Sequence, residues 1–264
     1  MAGRFGAVEL NYLYQHLKVK QTQSSDSKYD DALEMLCFNA GFFPNNHLEA
    51  DKFVELYIYA VSQMDLCGVW GINMEDYLLK KYGKECKLTR LRGLQPWVIK
   101  SGTPWTRALS GKKVLIVHPF VESMKLQYEK RTKLFCNKFL ADDILPSMEI
   151  RYYKAVQSIG GNGADGFDSW LDAYNHMLNE ISQIDFDVAI LGCGAYGFPL
   201  AAAIKNMGKQ AIHLGGATQL LFGINGKRWE KDPYVSELRN EYWINPSDAE
   251  KPANAEGVEG GCYW

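Results

Sequence analysis

The sequence lacks the short motifs that mark several large enzyme classes. None of its 264 residues forms an H-E-x-x-H, G-x-S-x-G or Walker lysine pattern, so zinc peptidase, esterase and P-loop chemistry have no support. The five histidines include no pair spaced i, i+4, and a His-rich metal site on a helix is therefore not expected.

Cysteine is present but never in the spacing of a metal or redox pair. The six cysteines show no C-x-x-C pattern and are spread along the chain: Cys37, Cys67, Cys86, Cys136, Cys193 and Cys262. Such scattering is typical of reduced thiols rather than of a disulfide framework or a zinc site. We therefore expect a cytoplasmic protein.

Neither a basic excess nor a long apolar segment is present. The formal net charge is −2, whereas nucleic-acid-binding proteins usually carry a basic face, so no nucleic-acid partner is expected. The longest uncharged run, 188–204, contains three glycines and a proline and is short for a membrane span. No basic segment followed by an apolar stretch opens the chain. We expect neither a signal peptide nor a transmembrane segment.

The segment 186–205, FDVAILGCGAYGFPLAAAIK, is the central element of the sequence. An apolar run of strand type leads into a G-x-G-x-x-G turn, and an Ala-rich helix follows. Glycines let the backbone approach an anion closely, while free N–H groups and the helix dipole face it. Gly192, Gly194, Tyr196 and Gly197 are therefore candidate nucleotide-binding residues.

Two features separate this turn from a typical NAD site. A dinucleotide fold places an acidic residue at the end of the next strand to hold the ribose. Here the next predicted strand, 210–214, ends in Gly215-Gly216, and the turn also lies late in the chain. A glycine turn that only packs a helix against a sheet is the alternative interpretation.

The order of strand and helix patterns predicts the fold. Amphipathic helices dominate the first third of the chain, and KVLIV at 113–117 begins a repeated β-then-α order. This order predicts an α/β, Rossmann-like, mostly parallel sheet flanked by helices, with a helical N-terminal portion. We expect a single domain, helix-rich over 1–111 and sheet-rich over 112–264, with the tail 256–264 folded back onto it.

Three further helices are expected in the sheet-rich half, over 121–138, 168–183 and 198–205. Asp168 is predicted to cap the second of them, because a carboxylate at that position can accept from free N–H groups of the first turn.

Candidate site residues follow several predicted strands. Ligands of open α/β sheets gather beyond the carboxyl ends of the strands, which places His118, His213, Gly215 and Gly216 near one another. A core histidine with satisfied hydrogen bonds is the alternative for His213.

Other candidates lie on loops and turns. Lys227 and Arg228 are placed to neutralise phosphates, or they are solvated turn residues. Asp65 is a candidate for contact with a ribose hydroxyl or a metal, or it caps a turn.

The opening residues combine an arginine and a carboxylate around the start of a predicted helix. The planar guanidinium of Arg4 can hold a phosphate or a carboxylate, and Glu9 can ligate a divalent cation or act as a base. A surface Arg–Glu pair contributing under about 1 kcal/mol is the alternative.

Several motifs together resemble one family. They are R-F-G-x-x-E at 4–9, KVLIVHPF at 113–120, the glycine turn at 192–197, GKQAIHLGG at 208–216, F-G-I-x-G-K-R-W at 222–229 and EGGCYW at 259–264. In this order and spacing, the chain resembles the GT-D-type glycosyltransferases and their uncharacterised relatives from surface-polysaccharide genes. The resemblance spans most of the chain and implies a Rossmann-like domain that uses a nucleotide-activated sugar, commonly with Mn²⁺ or Mg²⁺.

One position departs from the family pattern. The family's opening motif often reads R-F-G-D-G-E, which supplies a D-x-E pair, whereas Ala7 stands at the Asp position here while Arg4, Gly6 and Glu9 match. Glu9 then binds metal with another acid, such as Asp65 or Glu259, or the reaction is metal-independent.

The leading hypothesis is a glycosyltransferase that uses a nucleoside-diphosphate sugar such as a UDP-sugar and a carbohydrate acceptor. Glu9 is the first candidate for the catalytic base, followed by His118 and Asp65. Arg4, Lys227 and Arg228 are expected around the nucleotide with the glycine turn. An NAD(P)-dependent oxidoreductase and a catalytically inactive nucleotide-sugar-binding protein are the alternatives.

Overall fold

The computed structural model describes residues 1–24, 27–83, 85–99 and 101–264. Within these residues seven strands form one sheet: β1 (Ala2–Gly3), β2 (Leu66–Val69), β3 (Lys87–Arg90), β4 (Lys113–His118), β5 (Glu149–Lys154), β6 (Val188–Leu191) and β7 (Gln210–His213). All neighbouring pairs are parallel, and the order is β3-β2-β1-β7-β6-β4-β5. The expected α/β, Rossmann-like class is confirmed.

Helices connect the strands and cover the sheet. The α-helices are α1 (Ala7–Thr22), α2 (Ser27–Ala40), α3 (His47–Ser62), α4 (Glu75–Tyr82), α5 (Val121–Tyr128), α6 (Trp170–Ser182), α7 (Gly197–Asn206) and α8 (Pro233–Ser236). Short 3₁₀ helices cover Leu91–Leu94, Pro96–Val98, Trp105–Leu109, Gly194–Tyr196, Gly215–Phe222, Lys227–Trp229, Asp248–Glu250 and Ala255–Gly257. None of the described helices combines the length and hydrophobicity needed to cross a membrane.

The strand β4 shows how the sheet divides the core. Side chains alternate along a strand, so Val114 and Ile116 pack into one hydrophobic cluster while Leu115 and Val117 pack into the other. All four are fully buried, as expected for a parallel strand covered by helices on both faces. Burial of both faces explains why KVLIV is continuously apolar.

The N-terminal half contributes strands as well as helices. β1, β2 and β3 belong to the same sheet as β4 to β7, and β1 pairs with both β2 and β7. β1 has only two residues, too few to give a periodic pattern, and β3 is largely exposed. The positions of β1 and β3 depend on strands distant in sequence, and the sequence did not predict these two strands, whereas a short strand was expected over 65–71, where β2 lies.

Two helix boundaries differ from the prediction. α5 ends at Tyr128, and the chain continues to 138 in turns whose N–H groups bond three residues back, as Lys130 does to Gln127 at 2.9 Å. α6 begins at Trp170, because the Ser169 hydroxyl accepts from the Asp172 N–H at 3.2 Å. The predicted cap at Asp168 was therefore wrong by one residue.

Candidate functional site

A cavity of about 500 Å³ lies at the carboxyl edge of the sheet, within the size range of small-ligand sites. A lining residue follows each described strand, from β1 to β7 in turn: Arg4, Trp70, Leu91, Pro119, Val156, Gly192 and Leu214. The cavity therefore draws on both halves of the chain.

The strands β4 and β6 are neighbours whose connections run in opposite directions. The chain passes from β4 outward to β5, the edge strand, and from β6 inward to β7. Loops that diverge in this way leave a crevice at the carboxyl ends, which is where open α/β sheets bind ligands. His118 is the last residue of β4, on one side of this crevice, and Gly192 follows β6 on the other side. Both residues line the cavity.

The three motif glycines have different surroundings. Gly194 has φ +54°, a left-handed conformation that favours glycine, and a Cβ there would lie 2.7 Å from the Ala40 carbonyl oxygen. A Cβ on Gly197 would lie 2.6 Å from Nδ1 of His213. Gly192 and Gly194 line the cavity, whereas Gly197 allows the close approach of α7 to β7. The packing interpretation therefore applies to Gly197, while Gly192 and Gly194 stay candidate binding residues.

Replacing Gly192 with alanine is expected to destabilise the protein by crowding its neighbours. A Cβ at this position would lie 2.5 Å from the Gly215 carbonyl oxygen and 2.6 Å from Oγ1 of Thr218. Overpacking of this kind costs about 1–3 kcal/mol, so we expect a clear fall in the urea midpoint of unfolding.

Gly111→Ala is the matched control, because Gly111 has φ +70° but no atoms within 4 Å of a Cβ. It tests backbone strain without crowding and should cost about 1–2 kcal/mol. A loss below about 1 kcal/mol for Gly192→Ala would contradict the packing described here.

Arg4 presents a positive charge to the cavity. Its guanidinium carbon lies 4.7 Å from the centre of the Trp70 ring, a cation–π contact that orients the planar group. A Cβ built on Gly215 would lie 3.3 Å from Nη1 of Arg4, which puts the guanidinium beside the loop after β7. No described carboxylate lies within 4 Å of this guanidinium. The Arg4 fork is thus available to an anionic ligand.

Arg228 enters the cavity from the C-terminal part of the chain. Its Nη1 donates to the Tyr263 hydroxyl at 2.9 Å, and its Nη2 is paired with the Glu259 carboxylate. The tail that carries Glu259, Tyr263 and Trp264 lines the cavity, as the predicted folding back of 256–264 requires.

Glu9 lies in the first turn of α1, is partly exposed and lines the cavity. Its carboxylate folds back over the Cα of Gly6, so a Cβ at position 6 would displace the carboxylate. Burial raises the pKa of Glu9; a hydrogen bond from its own N–H and the charge of Arg4 oppose the rise, and Glu259 adds to it. A cavity carboxyl group with a raised pKa is a candidate acid or base.

Two buried histidines border the same cavity. Nδ1 of His118 accepts from the Phe120 N–H at 3.0 Å, so the proton of the neutral ring is on Nε2. Burial lowers the pKa of His118 to about 3, and burial with the charge of Arg4 lowers that of His213 to about 3. Both rings are therefore neutral at physiological pH and can act as hydrogen-bond partners rather than as cations.

The remaining predicted residues divide into two groups. Gly215, Gly216 and Tyr196 line the cavity, although the Tyr196 hydroxyl already bonds to Ser158 at 3.0 Å. Lys227 lies in another cavity, where it pairs with Glu256 at 3.5 Å.

Asp65 is the predicted catalytic residue that the structure places elsewhere. It precedes β2, at the amino edge of the sheet, and pairs with the Met1 amino group and with Lys205 at 2.8 Å. Burial alone would raise the pKa of Asp65, but these two partners lower it overall. Because the cavity lies at the opposite edge, Asp65 has a structural role.

The acidic residues of the cavity do not form a cation site. Glu259 is paired with Arg228, and exposed Ala7 provides no carboxylate beside Glu9. No group of three described His, Cys, Asp or Glu side chains is arranged to hold a metal ion. The donor set of the described residues therefore does not fit a metal ion held by protein side chains alone.

Three glutamines of the cavity, Gln95, Gln157 and Gln219, were not predicted. Gln219 is fully buried, and its Nε2 donates to the carbonyls of Asn225 at 2.6 Å and Tyr263 at 3.2 Å. Its Oε1, like that of Gln95, has no hydrogen-bond partner among the described residues. One indication for Gln219 was present in the sequence, because Gln219 precedes the apolar run 220–222 and is therefore expected to be buried. A buried amide needs hydrogen-bond partners.

Comparisons with known protein-family models, with curated proteins and with solved structures found no match for this chain.

Proposed function

We propose that this protein is a glycosyltransferase that moves a sugar from a nucleoside-diphosphate sugar to a hydroxyl group of a carbohydrate acceptor. The observation that carries the proposal is one cavity lined by Arg4, Arg228, Glu9 and the glycine turn at 192–194. These groups supply cations, close backbone approach and a carboxyl group, which are the requirements of transfer from a diphosphate.

The proposed reaction breaks the bond between the anomeric carbon and the diphosphate oxygen and forms one to the acceptor oxygen. Arg4 and Arg228 stabilise the negative charge that develops on the leaving diphosphate, with Arg228 exchanging Glu259 for phosphate. Glu9 takes the proton of the acceptor hydroxyl. Its raised pKa suits this role, because a base works best when its pKa is near the working pH.

A second candidate is an NAD(P)-dependent oxidoreductase. The glycine turn between β6 and α7 favours it, because the same strand, turn and helix bind dinucleotides. Against it, β7 leads into Leu214, Gly215 and Gly216, with no carboxylate for the ribose. Ligand binding separates the two candidates directly.

The test is a thermal-shift screen of the full chain with UDP, GDP, ADP, NAD⁺ and NADP⁺, each with Mn²⁺ or with EDTA. A ligand that binds only the folded state adds about 2.7 kcal/mol at 100 times its Kd, which is a readily measured rise in Tm. We expect a nucleoside diphosphate to raise Tm. A rise with NAD⁺ or NADP⁺ and not with any diphosphate would overturn the proposal.

Arg4→Gln is expected to weaken binding of the stabilising nucleotide by about 10–100-fold, since a charged hydrogen bond contributes about 1.5–3 kcal/mol. Isothermal titration calorimetry measures the change. Arg151→Gln is the control, because Arg151 lies on β5, pairs with Glu149 and is absent from the described cavity lining. Equal affinities for the two variants would remove Arg4 from the nucleotide site.

A further inference from the structure

Two cationic side chains of the cavity meet at the loop after β7. A Cβ built on Gly215 would lie 3.3 Å from Nη1 of Arg4, and a Cβ built on Gly216 would clash with the ring of Tyr263. The Tyr263 hydroxyl accepts from Nη1 of Arg228 at 2.9 Å. Because Gly215 and Gly216 are adjacent in the chain, Arg4 and the Arg228–Tyr263 pair lie beside the same short loop.

Arg228 already holds an anion, the carboxylate of Glu259. Nη2 of Arg228 is paired with this carboxylate, and its guanidinium carbon lies 4.7 Å from the centre of the Tyr263 ring. The Tyr263 hydroxyl accepts from Arg228, so its own proton remains for another acceptor, and none of the described residues takes it. Arg228 and Tyr263 therefore form an anion site whose guanidinium donor is occupied by Glu259.

The Glu259 carboxylate has room to leave this position. Its side chain is 41% exposed and that of Arg228 is 33% exposed. Glu259 has φ +48°, a conformation that is uncommon for a residue with a Cβ and persists only where contacts favour it. A Cβ built on Gly260 would meet no atoms within 4 Å, whereas Val258 and Cys262 are buried. The tip of the tail can therefore change conformation while its two sides stay in place.

The charges around the tail leave Glu259 as the competitor for Arg228. Two positive and two negative side chains line the cavity among the described residues: Arg4, Arg228, Glu9 and Glu259. Outside this lining, Glu256 is paired with both Lys227 and Lys251. Lys227 also donates to the carbonyl of residue 260 at 3.2 Å. Glu256 is thus neutralised by its own partners, and Glu259 is the tail side chain that an entering phosphate has to displace.

We propose that Glu259 competes with one phosphate of the ligand for Arg228, and so sets how strongly the site prefers a nucleoside diphosphate to a monophosphate. This inference rests on the proposed function. A monophosphate binds at Arg4 and leaves the Arg228–Glu259 pair intact. The second phosphate of a diphosphate takes the Arg228 donor and the free proton of the Tyr263 hydroxyl. It adds less affinity than these donors alone would give, because an ion pair has to break first.

The competition also favours release of the diphosphate that the proposed transfer produces. As this product leaves, the Glu259 carboxylate returns to Arg228 and takes the place of the departing phosphate. Product release often limits the turnover of enzymes, so a carboxylate held beside the diphosphate site has a use in the reaction.

The test compares the binding of monophosphates and diphosphates to the wild type and to Glu259→Gln by isothermal titration calorimetry. The probes are UMP with UDP, GMP with GDP, AMP with ADP, and inorganic phosphate with pyrophosphate, all in EDTA at one ionic strength. We expect the ratio of the monophosphate Kd to the diphosphate Kd to rise about fivefold in Glu259→Gln for at least one pair, the change that corresponds to a half-exposed ion pair. An unchanged or lower ratio for every pair that binds would overturn the proposal, since Glu259 would then only position Arg228.

Glu256→Gln is the matched control, because it removes the same charge from the same tail but leaves the Arg228 pair intact. Its ratio should stay within about twofold of the wild type, as expected for an exposed ion pair. Equal changes in Glu256→Gln and Glu259→Gln would overturn the proposal, because net charge alone would explain them.

Tyr263→Phe tests the second donor of the anion site. The variant keeps the ring beside Arg228 but loses the hydroxyl proton, and a hydrogen bond to a charged group changes affinity by about tenfold or more. We expect the same Kd ratio to fall by about tenfold. An unchanged ratio would overturn the assignment of this hydroxyl to the second phosphate.

The two proposals fail in distinguishable ways. A nucleoside diphosphate that binds with the same ratio in Glu259→Gln would keep the nucleotide site and reject the competition by Glu259. A raised ratio for pyrophosphate, without binding of any nucleoside diphosphate, would keep the competition and reject the transferase. If no probe binds to either protein, both proposals are overturned.

Discussion

Replacing Glu9 with glutamine is expected to lower kcat by about 10²–10⁴-fold, the usual contribution of a positioned acid or base. Glutamine keeps the shape of the side chain over Gly6 but cannot take a proton from the acceptor. The measurement is sugar transfer, or hydrolysis of the nucleotide sugar, under saturating donor. Glu55→Gln on the exposed face of α3 is the matched control and should leave kcat unchanged.

The stability of Glu9→Gln is expected to differ from that of the wild type in a known direction. Folding raises the pKa of Glu9 above 4.5, its ordinary value, so protonation of Glu9 stabilises the folded state, and this stabilisation is complete below pH 4.5. The stabilisation is lost as the pH rises through the folded-state pKa. Above its folded-state pKa, Glu9 is a buried charge that the neutral amide of the variant avoids. We expect Glu9→Gln to have a Tm equal to or above that of the wild type, with the difference growing as the pH rises above 4.5.

The opposite result would change the role of Glu9. A Tm that falls by several degrees at every pH, with kcat reduced only in proportion to the folded fraction, would make Glu9 a structural residue. A normal kcat with normal stability would move the base elsewhere in the cavity, and His118 would be the next residue to test.

Acidification is expected to unfold the protein through its two buried histidines. The pKa values of His118 and His213 are lowered from 6.5 to about 3, so below pH 6.5 the unfolded chain binds protons that the folded chain does not. Stability is therefore fully present above pH 6.5 and is lost as the pH falls toward 3. Each histidine contributes at most about 1.4 kcal/mol per pH unit to the slope of the unfolding free energy against pH.

His118→Asn measures this contribution, because asparagine keeps an acceptor for the Phe120 N–H but does not titrate. We expect the slope of the unfolding free energy against pH, measured by urea unfolding between pH 4 and 6.5, to be smaller than in the wild type. The difference should correspond to about one proton fewer taken up on unfolding. Asn175→Ala, at an exposed position on α6, changes no titrating group; it is the control and should keep the wild-type slope. An unchanged slope for His118→Asn would mean that His118 is protonated in the folded protein.

The strands that the sequence predicted are those whose pattern is local. KVLIV and FDVAIL are apolar over their whole length because β4 and β6 lie in the middle of a covered sheet. β1 could not be predicted in this way, because two residues become a strand only through their neighbours β2 and β7. The glycine turn was also predictable, because its G-x-G-x-x-G pattern lies within six consecutive residues.

The composition of the cavity was predicted in part. His118 and Gly192, which lie at the carboxyl ends of predicted strands, could be placed from topology alone, whereas Arg4 was a candidate from the opening motif, because β1 was not predicted. Asp65 was misplaced because its strand begins after it, which turns the carboxylate to the other edge. Gln95 and Gln219 were missed, since the value of a buried amide depends on partners that only the fold brings together.

The pairing of β1 with β7 has a kinetic consequence. Ala2 lies opposite Ile212, so this contact closes a loop of roughly 200 residues, and contacts of such high sequence separation form slowly. Arg4 and Glu9 follow β1 directly, and they meet the glycine turn only once that loop has closed. In a refolding experiment, the proposed binding of nucleotide should therefore return later than helical circular dichroism does.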